Sequence, residues 1–369
     1  MLGGRSEHDG SRRGNAVASG IPQHGQSPPV ARVHGDLARM GTDRARGKPL
    51  DEGRQRRVHS GHHPMPTILV LVTEFDPAAL LASGEGFADL SFWRKIALSG
   101  SEAGAWLQDL ISADIEDLVP GHARRSLLLS PTGRIRADFT AALTDQSWLL
   151  LQDPTQPRPI DQLLAPYILS SDVVMEDRTE DLALLAFPGG GRVDRFGPAK
   201  VSSTPSCLGS GGVDMITSMT DREEVLSVLG ERFVRVPNDA VDEWRVRQGV
   251  PRFGVDALEE DLPQEAGVDE AVAFDKGCYL GQEAVAKVRN LGHPRRLVLW
   301  LTSDRPVSAG EAVLADGEES GVVTSAEVHR EGSILLARVK WEAREHLLRT
   351  ASGAVLQSAA RVVQPSSPV

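Results

Sequence analysis

Apolar and polar residues alternate in short stretches between residues 92 and 187, and this pattern predicts a sheet with flanking helices. The predicted strands cover residues 92–99, 124–130, 134–143, 148–152, 173–176 and 182–187, and the predicted helices cover 101–110 and 157–168. Pro131-Thr132-Gly133 and Thr144-Asp145 separate neighbouring strands as turns. The order of strand, helix, strands, helix and strands is typical of an α+β layer.

The second half of the chain changes pattern twice. Glycine and serine cluster over residues 189–212, which indicates a long connection, and a second α+β unit follows it. From Arg295 onward, short strands alternate with Gly, Asp and Glu turns, which predicts a small antiparallel barrel beginning near Gly292–Pro294. The predicted strands of this half cover 213–218, 297–301, 312–314, 321–328 and 334–339, and the predicted helices cover 222–232 and 239–248.

Residues 1–64 differ in composition from the rest. They contain no aromatic residue, and they carry eleven Lys and Arg against six Asp and Glu. Such a segment buries too little apolar surface to offset its ordering entropy, so we expect a disordered basic tail. A tail of this kind could bind nucleic acid, but a flexible extension, or a true start at Met65, is the simpler interpretation.

Composition limits the possible functions of the 369-residue chain. The formal net charge is −11 although the tail is basic, so the acidic body makes nucleic acid a poor partner. Two cysteines, Cys207 and Cys278, exclude a disulfide framework and a four-thiolate metal site, and they favour a reducing cytoplasm. The longest early apolar run, residues 68–72, is too short to span a membrane, so we expect no membrane partner. We expect no metal ligands.

The most informative stretch of the sequence is Lys-Gly-Cys-Tyr-Leu-Gly-Gln-Glu-Ala-Val-Ala-Lys, residues 276–287. A helix over Gln282–Arg289 would place its N-terminus just after Cys278, and Lys276 lies two residues before the cysteine. An ammonium group and a helix N-terminus both favour thiolate over thiol, which makes Cys278 a candidate catalytic nucleophile supported by Lys276. The alternative is a small cysteine packed beside a structural turn.

This motif resembles that of the YgfZ-type folate-binding family, which is similar to the glycine-cleavage T protein, an aminomethyltransferase that uses tetrahydrofolate. Residues 96–103, 248–251 and 321–326 resemble further family segments in the same order, and the resemblance covers about residues 68–365. It implies a ring-like, three-domain α+β fold: two α+β domains, 65–188 and 189–291, and a C-terminal β-barrel domain, 292–369. It also implies a central pocket for tetrahydrofolate or a one-carbon derivative.

The resemblance further implies which residues contact the folate. Trp93 would stack on a ring of the ligand, although packing at a strand end is an equal alternative. Relatives carry a second pocket tryptophan near the position of Val241, and Trp244, one helical turn later, would fill the same space from a shifted position. Asp138 would lie near the folate nitrogens. The motif residues Tyr279, Gln282 and Glu283 would approach the ligand, and Arg289, with arginines such as Arg134 and Arg136, would form a basic rim for its glutamate tail.

Two departures from the family pattern bear on activity. Ala137 stands where the T protein has a second carboxylate, and Arg247 stands where a glutamate is common, so a hydrogen-bond acceptor is missing. The first hypothesis is therefore a folate-binding protein that supports assembly or repair of iron–sulfur enzymes, and through them some tRNA modification. The alternatives are a tetrahydrofolate-dependent aminomethyltransferase and a scaffold without ligand, so it stays open whether the protein is an enzyme.

Overall fold

A computed structural model describes residues 75–145, 147–190, 202–209, 211–329 and 332–359. The predicted tail and the proposed start at Met65 lie outside these residues. The α-helices are Pro77–Ser83 (α1), Ala103–Leu110 (α2), Ile160–Leu164 (α3), Arg222–Leu229 (α4), Asp239–Arg247 (α5), Pro263–Ala266 (α6) and Gln282–Leu291 (α7). Short 3₁₀ turns lie at Ala165–Tyr167, Asp269–Ala271 and Trp341–Glu345.

Sixteen strands are present in the described residues. They are Gly86–Asp89 (β1), Arg94–Ser99 (β2), His122–Leu129 (β3), Ile135–Leu143 (β4), Trp148–Gln152 (β5), Val174–Asp177 (β6), Leu182–Phe187 (β7), Ser202–Pro205 (β8), Val213–Ser218 (β9), Val234–Val236 (β10), Arg296–Ser303 (β11), Ala312–Ala315 (β12), Glu318–His329 (β13), Gly332–Lys340 (β14), Leu348–Thr350 (β15) and Val355–Ser358 (β16). The strands predicted from alternation are confirmed with shifts of a few residues at their ends.

The first sheet has the strand order β3-β4-β5-β2-β6, and every pair in it is antiparallel. One face of this sheet packs on α2, where Trp106 and Leu107 join Ile96, Phe139 and Leu150 in a single buried cluster. The amphipathic helix predicted for residues 101–110 is therefore confirmed as α2, and its apolar face covers the sheet.

The second sheet has the order β10-β1-β7-β9-β8. Strand β1 precedes the strands of the first sheet in the chain, and the other four strands follow them. Strand β1 pairs in parallel with β10 and antiparallel with β7, and β7 pairs with β9. Strands β1 and β7 lie before residue 189, so the two α+β layers interleave along the chain instead of following the predicted division at 188 and 189. The pattern over 189–212 indicated only a connection, yet strand β8 lies within it.

The C-terminal region forms a closed barrel in the order β11-β14-β13-β12-β15-β16, as the short alternating strands predict. Inward-facing side chains such as Leu301, Val323 and Leu335 fill its interior. The predicted start near residues 292–294 lies in the short link between α7 and β11. The fold therefore consists of two mixed α+β layers and a C-terminal six-stranded antiparallel barrel.

Buried ion pairs attach the barrel to the rest of the molecule. Arg338 on β14 donates two hydrogen bonds to the carboxylate of Asp261, at 2.6 and 2.7 Å. Arg245 on α5 donates to Asp256 at 2.7 Å, and Ser325 on β13 donates to the same carboxylate. Because buried charges are costly unless paired and hydrogen-bonded, these contacts specify one orientation of the barrel against α5.

Candidate functional site

A cavity of about 160 Å³ lies between the two sheets and helix α5. A single buried water needs about 10–15 Å³, so this space has room for several waters or for part of a small organic molecule. Both aromatic and charged side chains line it. The lining residues are Leu90, Phe92, Trp93, Arg125, Asp138, Phe139, Thr140, Leu151, Asp153, Thr155, Gln156, Cys207, Leu208, Asn238, Val241, Asp242, Arg245, Val250, Pro251, Arg252 and Phe253.

One side of the cavity is aromatic. Phe92 and Trp93, which we call the aromatic wall, lie in the turn between β1 and β2. Phe92 is 49% exposed, so an apolar ring stands open at the cavity. A tight turn holds the wall, since the Trp93 amide donates to the Leu90 carbonyl and the Ser91 hydroxyl donates to Asp89. Flat aromatic rings at this position suit a planar heterocyclic ligand.

The predicted carboxylate, Asp138, lines the cavity but is already paired. Arg125 on β3 donates to both of its oxygens, at 3.0 and 2.5 Å. Burial alone would lower the pKa of Arg125, but the adjacent Asp138 carboxylate outweighs burial and raises that pKa above its usual value. Asp138 is therefore a hydrogen-bond acceptor with a fixed counter-ion rather than a free carboxylate.

Two glutamine side chains fix the backbone beneath Asp138. The Gln156 amide donates to the Asp138 carbonyl at 2.6 Å, and its oxygen accepts from the Asp138 backbone amide at 3.1 Å. Gln152 donates to the same Gln156 oxygen at 3.1 Å. The polar side of the cavity is thus preorganised before any ligand arrives.

The opposite polar side is basic. Arg252 pairs with Asp242 at 3.0 Å, and Asp242 also pairs with Arg245 at 2.5 Å. The Nε atom of Arg252 is buried and has no hydrogen-bond partner among the described residues. Arg252 nevertheless lines the cavity, so its guanidinium places positive charge on this side.

A buried pair stands behind the cavity at Cys207. The Cys207 backbone amide donates to the Asp214 carboxylate at 2.5 Å, and Asp214 is fully buried on β9. Burial raises the pKa of Asp214 to about 7, and burial together with Asp214 raises the pKa of Cys207 well above its usual value. Cys207 is therefore a neutral thiol in the cavity wall at physiological pH.

The structure brings Trp93 and Asp138 to the same cavity but places Trp244 elsewhere. Trp244 is 5% exposed and belongs to the buried cluster that contains Trp93 and Val241. Val241, one turn earlier on α5, lines the cavity instead. The Trp244 side chain thus packs beside the cavity, and its indole nitrogen has no partner in the described part of the chain.

Lys276 and Cys278 do not line the cavity. The Lys276 ammonium donates to the carbonyls of Gln108, Ile111 and Ala113 at 2.6, 2.9 and 2.7 Å. The Gln108 carbonyl lies in the last turn of α2, where a helix lacks internal donors, and Ile111 and Ala113 lie at and just beyond its end. Burial lowers the pKa of Lys276 to about 8, with nearby acids opposing the shift. The contacts of Lys276 identify it as a cap for α2 rather than a partner of Cys278, whose side chain is exposed.

The rest of the motif docks α7 on the first sheet. Gly281 has a φ of 81°, and a Cβ there would collide with the carbonyl oxygen of Ser130. Tyr279 is 7% exposed, packs among Leu127 and Phe253, and has a hydroxyl without a partner among the described residues. Burial raises the pKa of Tyr279 to about 12. Gln282 and Glu283 begin α7 and do not line the cavity.

The arginines expected at a basic rim are engaged elsewhere. Arg134 pairs with Glu265 at 3.0 Å, and Arg136 pairs with Glu259 at 3.0 Å. The Arg289 guanidinium lies 3.9 Å from the ring centre of Phe274. None of these arginines lines the cavity, and the cations that do are Arg125, Arg245 and Arg252. They escaped the sequence analysis because only the fold brings these distant positions together.

Arg247, the second departure from the family pattern, connects three elements. It donates to Asp76 at the start of α1, at 2.6 Å, and to Glu327 on β13, at 3.1 Å. It does not line the cavity. The exchange of glutamate for arginine at this position therefore serves packing between α1, α5 and the barrel.

The described residues contain neither a metal-binding cluster nor a membrane-spanning helix. No group of three His, Cys, Asp or Glu side chains in the described ranges is arranged to hold a metal ion. No helix in that part of the chain is long and apolar enough to cross a membrane.

An antiparallel sheet, a mixed sheet and a closed six-stranded barrel, with a cavity between the sheets, define an aminomethyltransferase-type fold. It matches the crystal structure of glycine cleavage system aminomethyltransferase T from Bartonella henselae with a TM-score of 0.65 and 19% identity, over 77% of this chain and 88% of that one. Residues 78–191 match the family model described as the GCVT N-terminal domain. This chain is therefore similar in fold to that aminomethyltransferase and, over residues 78–191, similar in sequence to that family.

Two further proteins are similar in sequence to most of this chain. A chloroplastic protein of Arabidopsis thaliana that carries the general description of a transferase is 26% identical over 284 residues, covering 70% of this chain and 66% of the relative. The aminomethyltransferase of Streptomyces avermitilis is 25% identical over 286 residues, covering 69% and 77%.

Proposed function

We propose that the protein binds tetrahydrofolate, or a one-carbon derivative of it, in the cavity beside Trp93 and Asp138, and that it supports assembly or repair of iron–sulfur enzymes. Some tRNA modification would then depend on it indirectly. The observation that carries the folate part is the cavity, which combines an aromatic wall, a fixed carboxylate and arginine side chains. Two free cysteines suit a reducing compartment such as the cytoplasm.

The cavity residues fit the chemistry of a reduced folate. The aromatic wall would lie against the flat pteridine or aminobenzoyl ring. The Asp138 carboxylate retains acceptor capacity beyond its two bonds to Arg125, so it can accept from the amino-pyrimidine edge. The guanidinium of Arg252, which lines the cavity, would donate to a carboxylate or carbonyl oxygen of the ligand. When bound, the folate would supply the one-carbon carrier.

The iron–sulfur part rests on the resemblance of residues 276–287 and on the state of Asp138. Asp138 is bound by Arg125, and Ala137 replaces a second carboxylate, so the cavity has less acid–base capacity than aminomethyl transfer needs. Aminomethyltransferase activity is the second candidate, and the names of the curated relatives favour it.

Titration with reduced folates tests the ligand. Tetrahydrofolate and its formyl and methylene forms should quench tryptophan fluorescence and raise the free energy of unfolding, by about 2.7 kcal/mol at a hundredfold excess over the dissociation constant. Trp93→Ala should weaken binding by about 1 kcal/mol. Trp148→Phe is the matched control, because Trp148 packs on α2 away from the cavity. If none of the three folates shifts the melting curve, the protein is a scaffold without this ligand.

Complementation tests the cellular role. In cells lacking the protein, Trp93→Ala and Cys278→Ser should each fail to restore iron–sulfur enzyme activity, while Lys287→Met, an exposed change in the same motif, should restore it. Cys278→Ser should fold normally because the side chain is exposed. Purified protein that transfers an aminomethyl one-carbon unit to tetrahydrofolate, together with full rescue by Cys278→Ser, would support the second candidate instead.

A further inference from the structure

Strand β2 begins with two successive cations, Arg94 and Lys95, and each holds a different loop of the cavity. Successive strand residues point to opposite faces of a sheet, so the two side chains reach separate loops. Arg94 donates to Gln152 and to the carbonyls of Asp153, Pro154 and Gln156. Lys95 donates to the carbonyls of Ser91 and Trp93, both at 2.7 Å.

Lys95 is unusual because it is fully buried, with 0% of its surface exposed. Lysine is rarely buried in this way unless it is paired, since removing an ammonium from water is costly. No carboxylate lies within ion-pair distance of Lys95 among the described side chains, and its recorded partners are the two carbonyls. The groups that face the ammonium from neighbouring elements are Asp89, Asp177, Glu180 and Cys207.

The two carbonyls belong to the turn that carries the aromatic wall. Ser91 and Trp93 flank Phe92, and both rings of the wall line the cavity. Without Lys95, two carbonyls would lose a charged donor, and the turn would keep its bonds to Asp89 and Leu90 and the weaker one from the Leu184 amide to the Ser91 hydroxyl. Charge-assisted hydrogen bonds are about twice as strong as neutral ones, so the ammonium is the stronger restraint on this turn.

We propose that Lys95 is a positioning residue for ligand binding: its buried ammonium holds the Ser91–Trp93 turn so that Phe92 and Trp93 form the aromatic wall of the cavity. This inference rests on the proposed function for the identity of the ligand but not for the geometry of the wall. Lys95 does not line the cavity, so its effect is transmitted through the Ser91–Trp93 turn.

Fluorescence of Trp93 in the free protein tests the geometry. Trp93 emission is obtained by subtracting the Trp93→Phe spectrum in each background, and acrylamide quenching reports its exposure. Lys95→Met should shift the emission to longer wavelength and increase quenching about twofold. Ile96→Val, a buried change on the same strand outside the cavity, should leave both unchanged. Unchanged emission and quenching in folded Lys95→Met would overturn the proposal.

The pH dependence of wild-type Trp93 emission gives a second measurement that does not need the variant to fold. Burial lowers the pKa of Lys95 to about 8, so the emission should change with a midpoint near pH 8. The series is repeated in Asp214→Asn, because Asp214 titrates near pH 7 behind the same cavity. Trp93 emission that stays constant in both proteins as the pH is raised until they unfold would overturn the proposal.

The dissociation constant of 5-formyl-tetrahydrofolate separates the two proposals. It should rise about tenfold in Lys95→Met at pH 7 and stay unchanged in Ile96→Val. If the wild-type protein binds no folate but Trp93 responds to Lys95 as expected, the ligand assignment fails and the positioning role of Lys95 stands. If folate binds equally well to wild type and Lys95→Met, the positioning role fails and the ligand assignment stands.

Discussion

Lys276→Met should destabilise the protein, because Lys276 caps the end of α2. The substitution removes three hydrogen bonds from a charged donor, each of which contributes about 1.5–3 kcal/mol net. Burial of the ammonium opposes this gain. Its pKa of about 8, against 10.5 for a free lysine, corresponds to about 3 kcal/mol, and solvent screening reduces that cost because the side chain is only partly buried. We therefore expect the free energy of unfolding to fall by about 3 kcal/mol.

Urea denaturation at pH 7, followed by circular dichroism, measures this change. Lys287→Met is the matched control, since Lys287 is exposed in the same motif, and its effect should stay within about 0.5 kcal/mol. The rate at which Cys278 reacts with iodoacetamide should be equal in Lys276→Met and wild type under folding conditions. A variant that keeps its full stability but loses Cys278 reactivity would refute the capping role and restore Lys276 as a partner of the thiol.

Two further predictions concern the motif helix and the buried acid. Gly281→Ala should lower the free energy of unfolding by about 2 kcal/mol or more, because a side chain at φ 81° is strained and meets the Ser130 carbonyl; Gly277→Ala, which has open space, should be near neutral in the same urea assay. Asp214 has its pKa raised to about 7, so its carboxyl stabilises the fold below about pH 4 and that contribution disappears as the pH rises through 7. The difference in unfolding free energy between wild type and Asp214→Asn should therefore change by up to about 4 kcal/mol between pH 4 and pH 8, and a constant difference would disprove the assignment.

Local patterns in the sequence predicted most strands, the helix on the first sheet and the barrel. These elements depend on alternation and turn residues over a few positions, which a single sequence displays. The pairing of β1 with β10 was not predictable, because Gly86–Asp89 is short and its partner lies almost 150 residues later. For the same reason, the strand predicted at residues 182–187, which is β7, was assigned to the first layer although it lies in the second sheet.

The candidate site was predicted only in part. Trp93 and Asp138 both line the cavity, and their contact with a folate stays a prediction. Arg125 was not predicted as a site residue. It lies in the polar first half of β3, and only the register of β3 against β4 brings it to Asp138. The motif at 276–287 suggested chemistry because lysine, cysteine and glycine lie close in sequence. In three dimensions, the Lys276 and Gly281 positions serve helix capping and close backbone approach.

The interleaved second sheet has a consequence for synthesis of the chain. Strands β2 to β6 lie within residues 94–177, and β11 to β16 lie within 296–358, so the first sheet and the barrel close from contiguous segments. Strand β1 can pair with β7 on one edge, but its other edge waits for β10 at Val234–Val236, and such non-local contacts form slowly because loop closure must come first. While the ribosome makes the intervening residues, β1 exposes unpaired backbone groups that can pair with another nascent chain. Chaperone demand should therefore peak before Val236 leaves the ribosome, and chains truncated just upstream should aggregate.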